Sequence, residues 1–405
     1  MVAHPELSLL LLLAIAALVA VLANRARLPY AVGLVLAGLV LGNLVHYSGP
    51  HLSKELLFAV VLPGLLFEAA YQMHFAEFWR ARLSILTLAV PGLIVATVLT
   101  AAIAWWGINR IAPGSLLWIE ALVFGALISA TDPISVLAIF RTLGVDRRLA
   151  VIVEAESLFN DGTAIVVFGI VLAMATGHPL GAGGAALEFL RVAGLAAVVG
   201  AIVGGAVGTL TRAQDDAMAG IALTVLGGYG SFIAAELLGL SGVIACVVAG
   251  LITGTWGAQG RMGAATRGAI DAFWSYAAYL LNSCVFLLMG VEINLAKLAL
   301  YLPQIAIAWV AINVARAAFV YAKYALMRAG GGAAWPLSWA TVLTWGGLRG
   351  GLSMVLALSL PGEFPHRDLV LHMTFGVVLL TLLVQGLTIK PLLRRLQLAS
   401  ERSSG

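Results

Sequence analysis

Apolar stretches of about 17 to 25 residues, long enough to cross the hydrocarbon core of a bilayer as a helix, recur along the whole chain. Thirteen such spans are predicted: about 7–23, 29–46, 53–72, 83–108, 115–140, 149–176, 186–210, 217–238, 240–257, 268–290, 302–328, 335–360 and 368–392. Polar positions gather between them in loops of about a dozen residues at most. The pattern predicts an all-α polytopic membrane protein with no soluble domain, its membrane part covering 1–396 and a short polar tail covering 397–405. The division between 217–238 and 240–257 rests on Glu236 and the turn signal Gly239-Leu240-Ser241-Gly242.

Composition agrees. Of 405 residues, 61% are hydrophobic and 10% charged, and the mean hydropathy is +1.02. A soluble domain carries about 25% charged residues, so soluble enzymes and nucleic-acid-binding domains are excluded and the bilayer is the expected partner. The 45 glycines suit close helix packing in lipid. Cys246 and Cys284 sit in apolar runs and read as small buried hydrophobes. The first apolar run has Arg25 and Arg27 after it and no Lys or Arg before it, the reverse of a signal peptide.

Charge sets the orientation. Thirteen spans place Arg25, Arg27, Arg80, Arg82, Arg141, Arg147, Arg148, Arg212, Arg261, Arg267, Arg328, Lys390, Arg394, Arg395 and Arg402 on one side, and Lys54, Arg110, Lys297 and Arg367 on the other, fifteen against four. Positive charge stays cytoplasmic. The N-terminus is therefore expected outside and the C-terminus in the cytoplasm, in a cell membrane.

Glu68, Asp132, Glu156, Asp161, Glu236, Arg316 and Arg349 fall inside predicted spans. Each costs about 2.5 to 3.5 kcal/mol at a helix centre, a sum on the order of 20 kcal/mol if none is paired. With a rise of about 1.5 Å per residue, Asp132 lies near 12 Å deep, Asp161 near 18 Å, and Arg316 and Arg349 near 18 to 21 Å. Four charges from four spans approach one level, where transporters place their sites. Glu236 is read as a solvated carboxylate at a helix end, Glu154 as a snorkelling one, and His372 as a hydrogen-bonded core histidine.

Three motifs carry candidate chemistry. In Ser129-Ala130-Thr131-Asp132-Pro133, Pro133 removes a donor and disfavours helix at Asp132. A break there frees carbonyls for a cation; a plain proline kink is the alternative. In Glu154-Ala155-Glu156-Ser157-Leu158-Phe159-Asn160-Asp161-Gly162, Ser157 and Asp161 share one face, and Glu156 and Asn160 the next. An aspartate with a hydroxyl one turn away suits a hard monovalent cation. In Trp345-Gly346-Gly347-Leu348-Arg349-Gly350-Gly351, four glycines around an arginine destabilise helix. This second candidate break lies seven spans after the first, as an inverted repeat would place it; glycine-rich packing is the alternative.

These motifs, in this order, resemble the monovalent cation:proton antiporter family 1, the NhaP-type sodium/proton antiporters related to animal sodium/hydrogen exchangers. Leu28-Pro29-Tyr30 and Leu66-Phe67-Glu68 add to the resemblance, which covers essentially the whole chain. It implies thirteen helices in inverted repeats (about 1–176 and 217–396, with a linker helix about 186–210), two broken helices crossing at spans 5 and 12, a core and a dimerisation domain, and a homodimer. It also implies an ion site of the Thr131 carbonyl, Asp132, Ser157, Asp161 and Glu68. Asn160 would stand where the electrogenic branch has an aspartate. Glu156 would pair with Arg316, or with Arg349 as the rival, and Arg349 would offset Asp132 and half-helix carbonyls at the crossing.

The expected function is exchange of sodium, or lithium, for protons, with no cofactor. A cation stabilises the Asp161 carboxylate and displaces its proton, so the two compete for one site. Neutral Asn160 makes one-for-one electroneutral exchange the simplest stoichiometry. The ligand set leaves a potassium/proton antiporter of the same fold open. A channel would need a filter motif, and an intramembrane protease a catalytic motif around Asp132 and Asp161; neither is present in the sequence.

Overall fold

The computed structural model describes residues 29–44, 57–177, 180–213, 215–259, 263–330 and 335–399, with isolated positions between 14 and 25 and position 55. Among them every regular element is helical. Most of the first predicted span, 7–23, lies outside the described residues. In chain order the helices are α1 (Tyr30–Leu44), α2 (Leu62–Gln72, after a π-helical turn Leu57–Val61), α3 (Phe75–Thr87), α4 (Leu93–Ile111), α5 (Trp118–Ile128), α6 (Ile134–Leu143), α7 (Arg147–Ala175), α8 (Ala182–Arg212) and α9 (Ala217–Leu237). There follow α10 (Gly242–Gln259), α11 (Ala264–Glu292), α12 (Leu295–Leu300), α13 (Leu302–Ala329), α14 (Leu337–Trp345), α15 (Gly351–Leu358), α16 (Arg367–Leu380) and α17 (Gly386–Arg395).

Seven helical stretches among the described residues are long and apolar enough to cross a membrane. Their outer surface is apolar: Leu237 is 82% exposed and Leu326 73%, which lipid accepts and water does not.

Local chemistry sets many of the ends. The Asp216 carboxylate accepts from Met218 N at 2.8 Å and caps α9. Glu236 Oε1 accepts from Gly242 N at 3.0 Å, so this exposed carboxylate opens α10 at the turn that separates it from α9. The Asn294 side chain accepts from Lys297 N at 2.9 Å and starts the short α12. The fourth predicted span begins too late. Helix starts at Phe75, not near 83, and runs through a π-helical turn at Leu88–Gly92 to Ile111, 37 residues in all. Arg80 and Arg82 lower the hydropathy of its first turns, yet these turns are amphipathic. Phe78 and Ile85 are buried, while Arg82 lies 4.3 Å from the Trp79 ring and donates to Trp79 O at 2.6 Å.

The chain divides into two compact units, one of Met1–Lys54, Val90–Val153 and Ser283–Gly405, the other of Glu55–Ala89 and Glu154–Asn282. In the first, α13 packs on α4, α14 and α16, and α5 packs on α4, α15 and α16. Tyr30 and Ser283 share a hydrogen bond of 2.8 Å, and the Asn43 amide donates to Ile293 O at 2.8 Å. In the second, α10 packs on α2, α8 and α9. Its core holds Phe67 against Trp274, ring centroids 5.0 Å apart. The indole N–H of Trp274 donates to Thr224 at 2.9 Å, so the buried polar handle is satisfied.

Candidate functional site

The first unit contains two helix breaks that touch each other. At 129–133 the chain leaves α5 and restarts as α6. Pro133 brings no N–H and disfavours helical geometry at Asp132. Asp132 Oδ1 instead accepts from Ile134 N at 3.0 Å, at the start of α6. Its own N–H crosses to Leu348 O, 2.8 Å away in the second break. That break, at 346–350, separates α14 from α15. A side chain at Gly350 would run into the Asp132 carboxylate, whose Cγ would lie 2.9 Å from its Cβ. The carboxylate therefore rests against bare backbone at the N-terminus of α15. A Cβ at Gly347 would lie 2.7 Å from Arg316 Cδ.

Two arginines serve the opposite ends. Arg349, 2% exposed, donates from Nη1 to Ser129 O at 2.6 Å and Ala130 O at 3.1 Å, the carbonyl end of α5. Arg316 Nε donates to Leu343 O at 2.8 Å in the last turn of α14. Helix N-termini carry about half a positive charge and C-termini about half a negative one. Asp132 thus lies at two N-termini, and Arg349 and Arg316 each serve a C-terminus. Thr131, in the first break, is buried.

Glu68, Glu156, Ser157, Asn160 and Asp161 belong to the second unit. On α7, Glu156, Ser157 and Asn160 are buried and Asp161 is half-buried. Asn160 Nδ2 donates to Glu156 Oε1 at 3.1 Å, one turn back. Phe159 stacks on Phe78 of α3 at 5.4 Å between centroids, which fixes the rotation of this turn. Glu68 is half-buried on α2. Among the described residues no group of three His, Cys, Asp or Glu side chains is placed to hold a metal ion.

The sodium/hydrogen exchanger family, transmembrane, matches residues 10–395. NhaG, a Na(+)/H(+) antiporter of Bacillus atrophaeus, is 39% identical over 396 residues, 94% of this chain and 73% of its own length. NhaH, a Na(+)/H(+) antiporter of Halobacillus aidingensis, is 36% identical over 410 residues, 97% of this chain and 98% of its own. The chain belongs to the sodium/hydrogen exchanger family. It is therefore a transporter and not an enzyme. The solved structure of the sodium proton antiporter MjNhaP1 from Methanocaldococcus jannaschii at pH 8 shares the fold, with a TM-score of 0.76 at 21% identity over 98% of this chain and 99% of that one.

In this exchanger fold one polar cluster was not anticipated from the sequence. Glu120, in the first turn of α5, is 1% exposed. It accepts from Leu117 N at 2.8 Å and from His366 Nδ1 at 3.1 and 2.9 Å. His366 holds the left-handed conformation (φ 49°) at the start of α16. The available signal was an acid in the first turn of a helix, where its carboxylate accepts the N-cap N–H of Leu117. Hydropathy alone absorbs Glu120 into an apolar span. His372 Nδ1 donates to Asp368 O, 2.6 Å away, and its ring stacks on Tyr301, so it is hydrogen-bonded, though nearer the surface than a core position.

Proposed function

We propose that this chain exchanges sodium, or lithium, for protons across a cell membrane, one for one, with Asp161 as the group that carries either ion. The observation that most supports this reading is the pair of touching helix breaks, where each half-helix end meets a charge of opposite sign. Such an arrangement holds backbone carbonyls and a carboxylate inside an apolar unit, as transport of a bare cation requires. The family's Na(+)/H(+) antiporters, alike along the whole chain, point to the same ions.

In this proposal the cation is ligated by the Thr131 carbonyl, Asp132, Ser157, Asp161 and Glu68, and its departure lets a proton return to Asp161. Asn160, tied to Glu156, adds no charge beside Asp161, so one cation balances one proton. Glu156 is proposed to pair with Arg316. The protein is proposed to act as a homodimer with its N-terminus outside, in keeping with the fifteen-to-four loop charge bias.

The test is a proteoliposome with a pH dye inside. Asp161→Asn is expected to abolish sodium-driven proton movement while leaving thermal unfolding close to that of the native protein; retained movement overturns the mechanism. An imposed membrane potential should leave the native rate unchanged. A strong response means a second titrating group, and equal exchange with potassium overturns the sodium selectivity.

A further inference from the structure

Helices α5 and α15 are joined at both ends. At the breaks, Arg349 reaches the Ser129 and Ala130 carbonyls, and Asp132 N reaches Leu348 O. At the far ends the joint is a single dipeptide. His366 Nδ1 donates to both oxygens of Glu120 in the first turn of α5. Its neighbour Arg367 donates from Nε to Leu360 O at 3.1 Å and from Nη2 to Leu358 O at 3.3 Å, the carbonyl end of α15. The loop between is itself folded, with Phe364 N on Pro361 O and Arg367 N on Phe364 O. A left-handed non-glycine residue persists only where its surroundings hold it, and His366 is such a residue.

We propose that Glu120, His366 and Arg367 are positioning residues for ion binding, a clamp that holds the far ends of the two half-helices and so fixes their near ends. The half-helices are short levers. At about 1.5 Å per residue, α5 is roughly 16 Å long and α15 roughly 12 Å. An angular freedom at the far end reappears at the break as a displacement of Asp132 and of the Ser129 to Thr131 carbonyls. Binding geometry is sensitive to such shifts, since a misplacement of about 1 Å can cost about a hundredfold. Nothing in the clamp touches the ion; it acts through α5 and α15 alone.

This inference rests on the exchange reading above, and its test separates the two. Full-length protein is assayed in proteoliposomes for apparent KM and kcat with sodium, and in detergent for the sodium-dependent rise in Tm, which reports binding without transport. His366→Ala should raise KM about tenfold with kcat within about twofold, and should shrink the sodium-dependent rise in Tm. His366→Asn should restore both, because asparagine tolerates the left-handed conformation and presents an amide N–H to Glu120. Arg367→Lys should behave as the damaged variant, since a point charge does not replace a fork across two carbonyls. A lower Tm with native KM in His366→Ala, or no rescue by His366→Asn, reduces the clamp to a structural contact and overturns the proposal. Should His366→Ala fail to fold, Glu120→Gln takes its place. It keeps the cap on Leu117 but loses the charge, and an unchanged KM there overturns the proposal equally. A native protein that shows the sodium-dependent Tm rise without sodium-driven proton movement breaks the exchange reading and leaves the clamp standing.

Discussion

The two helix breaks do the same thing by opposite means. The first is made by a residue that cannot continue a helix: Pro133 lacks the donor, and Asp132 takes over with its side chain, capping Ile134 N. The second is made by residues that merely permit a break. Glycines let the chain extend, and groups from elsewhere supply the bonds: Asp132 N–H reaches Leu348 O, and Arg316 Nε reaches Leu343 O. The first break is made by its own residues, although Arg349 from the second caps the Ser129 and Ala130 carbonyls it frees. The second is specified by what surrounds it, because Gly350 is required by the Asp132 carboxylate and not by its own backbone angle, which is extended (φ −136°). The lesson is that a break written in proline is placed by its own sequence and borrows only a cap, whereas one written in glycine is placed by its partner.

That contrast can be broken by substitution. The largest effect is expected at Gly350→Ala, where the new Cβ collides with Asp132; we expect a loss of about 3 kcal/mol in unfolding free energy and no measurable transport. Arg349→Lys should follow, at about 2 kcal/mol, because the lysine side chain is one atom shorter and its ammonium falls short of the place where Nη1 bonds both Ser129 O and Ala130 O. Arg316, half-buried and donating to Leu343 O, is less enclosed than Arg349, so Arg316→Lys should cost less; equal losses from the two arginines would erase the difference in their roles. The smallest effect is expected at Pro133→Ala, within about 1 kcal/mol, since Asp132 still caps Ile134 N and still donates to Leu348 O. A fall there as deep as that of Gly350→Ala, read by thermal unfolding, would show that the first break depends on proline alone.

Much of this was legible in the sequence. Proline beside Thr131-Asp132, and four glycines around Arg349, mark the two interruptions in otherwise apolar spans, because both residue types act on backbone geometry within a turn. The separation of α9 from α10 was legible in Glu236 and the turn after it. The start of α3 was not, because a hydropathy window discounts an amphipathic turn that carries Arg80 and Arg82 on one side and Phe78 and Ile85 on the other. The π-helical turns at Leu88–Gly92 and Thr381–Gln385 change no residue type and leave no periodic trace. The Glu120–His366 contact joins positions 246 residues apart, and nothing near either residue announces the other. The candidate ion site was named from residue types, spacing and the family resemblance, while the partners of Arg349 depended on where the second half of the chain returns.

Arg349 and Ser129 are separated by 220 residues, and that distance is also a delay. At about 5–20 residues per second of synthesis, the α5 carbonyls wait roughly ten seconds or more before the guanidinium that caps them exists. During that interval the first break is already made, and Ser129 O and Ala130 O lack the guanidinium that caps them in the finished molecule. The crossing is thus among the last parts of the molecule to mature, and His366 and Arg367 arrive later still. A chain halted before Arg349 would have its first interruption but not the cap on the two carbonyls that interruption frees.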